Sequence, residues 1–239
     1  MSKILILAQS GFGKSTSIGN IPELNIQGLK PEETFIVTAT SKPLPFKGSE
    51  KLYVKVPEGQ PPTTGNRYIS NEGVKISKVI RFVADNRPEI KTIIIDDANY
   101  TLQDYYMENS KSKGYDTFKE IGASTHLIFS AMEYADNLGK NIIMMAHPEE
   151  FKDSNLDTIS YRFKTVGKMV QDYITPEGKF EIVLFGKQFI DPETKEIKKF
   201  FVTNFDGQYP AKSPVGLFSE KYIPNDLGLI LDRVKAYYS

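Results

Sequence analysis

Residues Lys3–Ile21 read KILILAQSGFGKSTSIGNI, and this stretch decides the fold. The four aliphatic residues Ile4–Leu7 predict a short strand that is buried on both faces, as in a parallel sheet. A glycine-containing turn follows and ends in the sequence GKST at residues 13–16. A helix that starts there would direct its free backbone N–H groups, and the positive end of its dipole, at a bound anion. The sequence therefore predicts an α/β protein with a phosphate-binding loop.

The loop from Ala8 to Ser15 differs by one residue from the phosphate-loop pattern G-x-x-x-x-G-K-[ST], because Ala8 takes the place of the first glycine. In that pattern Lys14 contacts the β- and γ-phosphates, and the Ser15 hydroxyl binds Mg²⁺. Gly11 and Gly13 allow the backbone to turn and to approach a ligand closely. The alternative is a glycine turn that arose by chance. The predicted nucleotide contacts are Ser10, Gly11, Phe12, Gly13, Lys14, Ser15 and Thr16.

A second landmark is the segment Lys91–Asp97, which reads KTIIIDD. Three consecutive isoleucines predict a buried strand, and its acids would lie at the carboxyl end, where open α/β sheets bind ligands. Paired with the phosphate loop, the segment is interpreted as a Walker B element. Asp96 would then hold Mg²⁺, directly or through water, and Asp97 would orient or deprotonate the attacking water. The alternative for such an acid is the cap of a following helix.

Another buried strand is predicted at Asn141–Ala146, and His147 follows at its carboxyl end. In a parallel sheet this end lies beside the other two, so His147 would stand next to the nucleotide. It would either sense the γ-phosphate or have a purely structural role; the sequence favours neither.

The remaining elements complete a single domain over residues 1–239, with a mainly parallel sheet flanked by helices. We expect a strand at Thr34–Thr40, a helix between Ser70 and Pro88, and a flexible proline-rich loop over 41–66 with a possible strand at Lys51–Val56. The predicted elements of the second half are a helix from Phe118 to about Gly139, an antiparallel hairpin formed by Phe180–Ile190 and Ile197–Phe205, and a final helix from Asn225 to Tyr237.

The composition excludes several classes of protein. Thirty basic and thirty acidic side chains cancel, which argues against a strongly electropositive protein that wraps duplex DNA. The absence of cysteine excludes disulfides, a thiolate nucleophile and a cysteine-bound metal. The first apolar run is only four residues long and no later run approaches membrane-spanning length, so we expect a cytoplasmic protein with no membrane partner.

Two segments are candidates for contact with single-stranded nucleic acid. Tyr100, Tyr105, Tyr106 and Tyr115 lie among polar residues, and they would either stack on bases or pack beneath a loop. The segment RFKTVGKMV carries Arg162, Lys164 and Lys168, which would face nucleic acid or another subunit, or form a solvated surface.

Taken together, these motifs make the chain resemble bacteriophage-encoded RecA-like ATPases. This group of small phage nucleotide-binding or AAA ATPases includes Sak-type single-strand annealing recombinases with a RecA core. The resemblance is carried by both Walker elements, the strand before His147, KTVGKMV at 164–170, the late hairpin, and AKSPVGLF with IPNDLGLIL near the end. It covers nearly the whole chain, and its specific part is the phosphate loop.

The resemblance implies an Mg²⁺–ATP-dependent ATPase that acts in phage DNA recombination, repair or replication, assembled as a ring or filament on single-stranded DNA. It makes His147 a sensor and places Lys212 where such proteins present a basic finger to a neighbour's γ-phosphate. The RecA pattern often has a catalytic glutamate after an earlier strand, and here only Glu58, in the proline-rich loop, lies near that place, so hydrolysis would be slow or would depend on Asp97 or on assembly. The alternatives are a nucleotide-gated adaptor without catalysis and a small-molecule kinase, although a kinase lid would need clustered arginines.

Overall fold

A computed structural model of the chain describes residues 2–109, 115–153, 158–166 and 174–239. The strands are β1 (Lys3–Leu7), β2 (Thr34–Thr38), β3 (Arg67–Ile69), β4 (Thr92–Asp96), β5 (Asn141–Ala146), β6 (Pro148–Asp153), β7 (Thr158–Phe163), β8 (Ile182–Ile190), β9 (Ile197–Val202) and β10 (Tyr222–Pro224). The helices are α1 (Ser49–Leu52), α2 (Gly73–Asn86), α3 (Asn99–Asn109), α4 (Tyr115–Asn137) and α5 (Leu227–Tyr238).

The central sheet has the strand order β10-β9-β8-β1-β5-β4-β2-β3. The six strands from β8 to β3 run parallel, whereas β9 and β10 are antiparallel to their neighbours. This arrangement confirms the predicted α/β architecture with a mainly parallel sheet and a late hairpin, β8–β9, that extends it.

Strand β1 lies in the middle of the sheet and separates two apolar clusters. Leu5 and Leu7 point into a cluster with residues of α2 and α4. Ile4 and Ile6 point the other way, into a cluster with residues of α5. Because successive side chains of a strand alternate between faces, only a strand covered on both sides can be aliphatic throughout.

The path of the chain brings three strand ends together. From β1 the chain continues to β2, which lies toward the β3 edge of the sheet. From β5 it continues through β6 and β7 to β8, which lies toward the β10 edge. β5 also lies directly between β1 and β4. The divergence of connections at neighbouring parallel strands opens a crevice at their carboxyl ends, which is where α/β sheets bind ligands.

Several local predictions were wrong. The helix predicted after the phosphate loop is a single 3₁₀ turn, Ser15–Ile18, so the helix-dipole contribution that we expected is confined to one turn. Residues 51–56 do not form a strand, because Leu52 ends α1 and only Lys55 pairs with β3. No element was predicted over residues 149–163, where β6 and β7 pair antiparallel.

The other long elements agree with the predictions. In α2 the buried residues include Ile76, Val79, Ile80 and Val83, and in α4 they include Ile121, Thr125, Ile128, Met132 and Ala135. The last helix begins at Leu227, two residues later than predicted, with Asp226 as its N-cap. The loop over 41–66 contributes Leu44 and Tyr53 to the core, so part of it is packed; its flexibility stays a prediction.

Candidate functional site

Four of the predicted site residues meet at the carboxyl edge of the sheet. Lys14 follows β1, Asp96 ends β4 and is followed by Asp97, and His147 follows β5. His147 contacts both Lys14 and Asp97, and Asp96 contacts Ser15 of the loop. These residues come from three separate parts of the chain. The parallel register produces this meeting, because it aligns the ends of adjacent strands.

The Lys14 ammonium group is buried and points back into its own loop. Its Nζ atom donates to the carbonyl oxygen of Ala8 at 2.8 Å and to that of Gln9 at 3.4 Å, and it lies 3.4 Å from Nδ1 of His147. Burial lowers the pKa of Lys14, while the charges of Asp97 and Asp96 act against that shift. All three ammonium protons therefore have an acceptor inside the site.

Ser15 and Asp96 form a direct pair beneath the loop. The Ser15 hydroxyl donates to Oδ2 of Asp96 at 2.8 Å. The other carboxylate oxygen of Asp96, Oδ1, is buried and has no hydrogen-bond partner among the described residues. Burial, reinforced by the charge of Asp97, raises the pKa of Asp96 to about 6. A buried carboxylate with an unused oxygen is costly unless a cation or a donor completes it.

Asp97 differs from Asp96 in its backbone conformation and in the direction of its pKa shift. Its φ angle is +55°, in the left-handed region that few residues other than glycine, asparagine and aspartate adopt. Its Oδ1 lies 3.4 Å from Nε2 of His147. The hydrogen bond from His147 is the main cause that lowers the pKa of Asp97. This carboxylate is therefore held ionised, in a conformation that positions it against the histidine.

These contacts fix the tautomer of His147. Lys14 can only donate, so Nδ1 of the ring accepts from it and Nε2 carries the proton that is donated to Asp97. Asn99, which sequence reasoning missed, holds the backbone on both sides of the histidine. Its amide group accepts from the His147 N–H and donates to the carbonyl oxygens of His147 and Lys164.

The loop backbone has two glycines in the left-handed region and several N–H groups without an acceptor in the described part of the chain. Gly11 and Gly13 have φ angles of +77° and +97°. Within the described residues, the N–H groups of Gly11, Gly13 and Lys14 donate to no protein acceptor. Ser10 is exposed at the outer end of the loop, and Thr16 is half-buried in the 3₁₀ turn. Free N–H groups that point from a glycine-rich turn form a typical phosphate cradle.

Alanine at position 8 is explained by the neighbouring strand. A side chain added at Gly186 in β8 would place its Cβ 2.4 Å from Cβ of Ala8 and 2.9 Å from the Phe12 ring. Phe12 is buried and packs against Phe201 of β9, with ring centroids 5.4 Å apart. The small residues Ala8 and Gly186 therefore let the loop rest directly on the hairpin.

Two further residues at the site were missed. Asn225 donates its Nδ2 to the carbonyl oxygen of Gly13 at 2.9 Å, although 212 positions separate them, and its Oδ1 is buried without a partner among the described residues. Arg67 of β3 is buried and donates to the carbonyl oxygen of Lys42; burial lowers its pKa, and the charge of Asp96 acts against that shift. Of these two residues, only Asn225 had a sequence signal, because it follows Pro224 in the segment IPND.

Other predicted residues are not brought to this cluster. Lys212 is exposed, and its backbone pairs with Val183 partway along β8; a role toward a neighbouring subunit stays a prediction. Glu58 is exposed and acts electrostatically on Lys75.

The two candidate nucleic-acid segments also have internal contacts. Tyr105 and Tyr106 are half-buried against the core. Tyr100 is half-buried, with its ring edge-on to His147. Arg162 pairs with Glu149, and Lys164 is exposed. Lys168 and the side chain of Tyr115 lie outside the described residues.

The residues present fit Mg²⁺. In the part of the chain that the structure describes, no group of three or more histidine, aspartate or glutamate side chains forms a metal cage. Mg²⁺ normally needs no such cage, because it keeps several waters and takes one or two protein oxygens together with substrate phosphates. Ser15 Oγ and the unpartnered Oδ1 of Asp96 supply oxygens of this kind.

Comparison with protein-family models gives no match for this chain, and comparison with curated proteins gives none either. Among the described residues, no helix has both the length and the apolar character that crossing a membrane requires.

Proposed function

We propose that this chain binds ATP with Mg²⁺ in the loop after β1 and hydrolyses it. The observation that carries the proposal is the meeting of Lys14 and the Ser15–Asp96 pair at one end of a glycine-rich turn. A triphosphate needs main-chain donors, an ammonium group and a metal-binding carboxylate in one place, and these groups provide them. The RecA-like resemblance of the sequence makes the ATPase class the favoured one.

In this proposal Ser15 and Asp96 hold Mg²⁺, which neutralises charge on the phosphates. Lys14 is the residue that changes partners, because its contacts with the Ala8 and Gln9 carbonyl groups compete with any phosphate oxygen. The free N–H groups of Gly11 and Gly13 donate to the anion. Phosphoryl transfer requires mainly positioning and charge stabilisation, which these groups supply.

The assignment of Asp97 as general base or as orienting group follows from its environment. A carboxylate whose pKa is lowered by a histidine hydrogen bond accepts a full proton poorly at neutral pH. Asp97 therefore orients the attacking water rather than deprotonating it. His147 links this carboxylate to Lys14, so it would register whether Lys14 has moved to a phosphate.

The test is a titration of the full chain with a fluorescent ATP analogue, in Mg²⁺ and in EDTA. Lys14→Ala should weaken binding by at least about 100-fold, because a buried charge-assisted contact is lost. The matched control is Lys78→Ala, since Lys78 is exposed on α2. Equal affinity of parent and Lys14→Ala would contradict the proposal.

A second candidate is a nucleotide-gated adaptor that does not turn ATP over, and the weak basicity of Asp97 favours it. Steady-state phosphate release separates the two. Turnover that is stimulated by single-stranded DNA would support an ATPase in recombination, repair or replication, assembled as a homo-oligomer with Lys212 directed at a neighbour's nucleotide. Tight binding with no phosphate release would support the adaptor.

A further inference from the structure

The β8–β9 hairpin projects beyond the sheet next to the phosphate loop. Leu7, the last residue of β1, is paired with Phe185, but β8 continues for five more residues to Ile190. At about 3.4 Å per residue, the hairpin rises roughly 17 Å above the carboxyl edge. Helices cover the lower part of the sheet, whereas the extensive contacts of β8 and β9 in the described part of the chain are with each other, β1 and β10.

The inner face of the hairpin is occupied by the phosphate loop. Gly186 lies against Ala8 and Phe12, and Phe201 packs on Phe12. Lys199 donates its Nζ to the carbonyl oxygen of Gly11 at 2.9 Å. The alternate positions of the same strands must therefore point to the opposite side.

That opposite side, here called the outer face, includes Lys187, Phe189, Lys198, Phe200 and Tyr222. The register supports this grouping, because Lys187 pairs with Phe200, and Tyr222 pairs with Val202 two positions along β9. The ring centroid of Phe189 lies 5.3 Å from that of Tyr222 and 6.1 Å from that of Phe200. Phe189 is 37% exposed, and the other two rings are half-buried.

The charge on the outer face is positive. The Lys187 ammonium lies 5.1 Å from the centre of the Phe189 ring and 4.7 Å from that of Tyr209, and it has no carboxylate partner among the described residues. Lys198, paired with Phe189 in the register, is bound to Asp191 in the turn. Lys221 lies over the Tyr222 ring and is bound to Asp206. No acidic residue occupies an outer-face position in these strands.

We propose that the outer face binds single-stranded nucleic acid. Phe189 and its two neighbouring rings would stack on bases, and Lys187 would contact the phosphate backbone, as in other sequence-tolerant single-strand sites. The proposal deepens the proposed function, on which its biological setting rests, by naming the surface that contacts the polymer. The nearly neutral charge of the chain is compatible with this proposal, since only a local positive patch is needed.

The test is fluorescence polarisation of a fluorescein-labelled 20-mer of thymidylate with the full chain at low salt. Phe189→Ala should weaken binding about tenfold, and Phe189→Trp should restore it, because stacking requires only an aromatic ring. The matched control is Ile190→Ala, since Ile190 is the next residue of the same strand, is 68% exposed and points to the inner side. The control should bind like the parent.

Two readouts keep this test separate from the nucleotide test. Phe189→Ala should bind the fluorescent ATP analogue as the parent does, because Phe189 has no recorded contact with the loop. Lys187→Met should reduce the slope of log affinity against log salt by about 0.7, the value for one phosphate contact on a single strand. If ATP binding fails while the ring-dependent oligonucleotide binding holds, the outer face stands and the ATPase proposal falls.

Three results would overturn the proposal. The first is a parent that binds the ATP analogue and shows no affinity for the oligonucleotide. The second is an equal loss of affinity in Phe189→Ala and Ile190→Ala, which would indicate a general effect on the hairpin. The third is a changed sedimentation coefficient of Phe189→Ala with no change in oligonucleotide affinity, which would make the outer face a contact between subunits.

Discussion

The two edges of the parallel sheet differ in how their polar groups are satisfied. At the amino edge, a cavity of about 650 Å³ is lined by Lys30, Lys91 and other residues, and several nearby donors are already used, although Ser2 Oγ and Asp136 Oδ1 are buried there without a partner among the described residues. Thr34 donates to Lys30, Lys91 donates to Pro88, and the buried ammonium of Lys140 donates to two carbonyl oxygens, of Arg87 and Ile90.

The carboxyl edge combines several unsatisfied or strained groups within one loop and the two strand ends beside it. There Asp96 keeps a buried oxygen without a partner among the described residues, Asp97 has a left-handed backbone, and the glycine turn presents unpaired N–H groups. Such features are costly for folding alone and are typical of sites that a ligand completes. The comparison teaches that the convergence of an unpartnered carboxylate oxygen, a left-handed backbone and free N–H groups, rather than the size of a cavity, marks the candidate site in this molecule.

The largest effect that we expect is on the rate of ATP turnover, and it would sharpen the comparison of the two edges. Asp97→Asn should lower the rate of phosphate release about 100-fold and leave ATP affinity within about threefold, because an amide orients water less well than a carboxylate. Asparagine tolerates the same left-handed φ, so the backbone should not change. Single-turnover phosphate release is the measurement, and an unchanged rate would remove Asp97 from the mechanism.

The next effect concerns Asp96. Asp96→Asn should weaken the Mg²⁺-dependent part of ATP binding about 10- to 100-fold, because the metal loses its charged ligand. Calorimetric titrations with and without Mg²⁺ measure this part. A variant that kept the full Mg²⁺ dependence would show that the metal is held elsewhere.

For the same variant we predict a pH-dependent change in stability, measured in EDTA without nucleotide. The folded protein binds a proton on Asp96 more tightly than the unfolded chain, since burial raises the pKa from 3.8 to about 6. Stability of the parent is therefore lost as the pH rises through this range. Asp96→Asn should be more stable by roughly 1–3 kcal/mol above pH 6, and the difference should vanish below about pH 4. Chemical denaturation at several pH values tests it, and a less stable variant at pH 7 would contradict the account.

The smallest effect on nucleotide binding is expected at the amino edge. Lys140→Met should destabilise the fold by roughly 1–3 kcal/mol, because two buried carbonyl groups lose their donor. ATP affinity and turnover should stay at parental values in the fraction that is folded. Thermal melting combined with the ATP titration checks both parts. A large loss of ATP affinity in this variant would break the distinction between the two edges.

The sequence predicted what depends on local pattern. The runs before Gln9, Asp97 and His147 are purely aliphatic or nearly so, and a parallel sheet brings the ends of such strands together without further information. The β8–β9 hairpin was predictable because its turn, Asp191–Lys195, has turn chemistry between two β-rich runs.

The sequence did not predict what depends on distant partners. Asn225 reaches Gly13 across 212 positions, and Asp226 caps α5 while it also accepts from the N–H of Gly28, 198 positions away. The β6 strand reads PEEFKD, which lacks the apolar alternation of a half-buried strand. The outer face of the hairpin emerged only from the register, which aligns Phe189, Phe200 and Tyr222 on one side.

The most direct test of the central claim is a crystal structure of the full chain with Mg²⁺ and a non-hydrolysable ATP analogue. The account predicts the triphosphate within the turn of Gly11 and Gly13, Lys14 on a phosphate oxygen instead of the Ala8 carbonyl, and Mg²⁺ about 2.1 Å from Ser15 Oγ with Asp96 beside it. A nucleotide bound in the amino-edge cavity, with Lys14 still on Ala8, would contradict it.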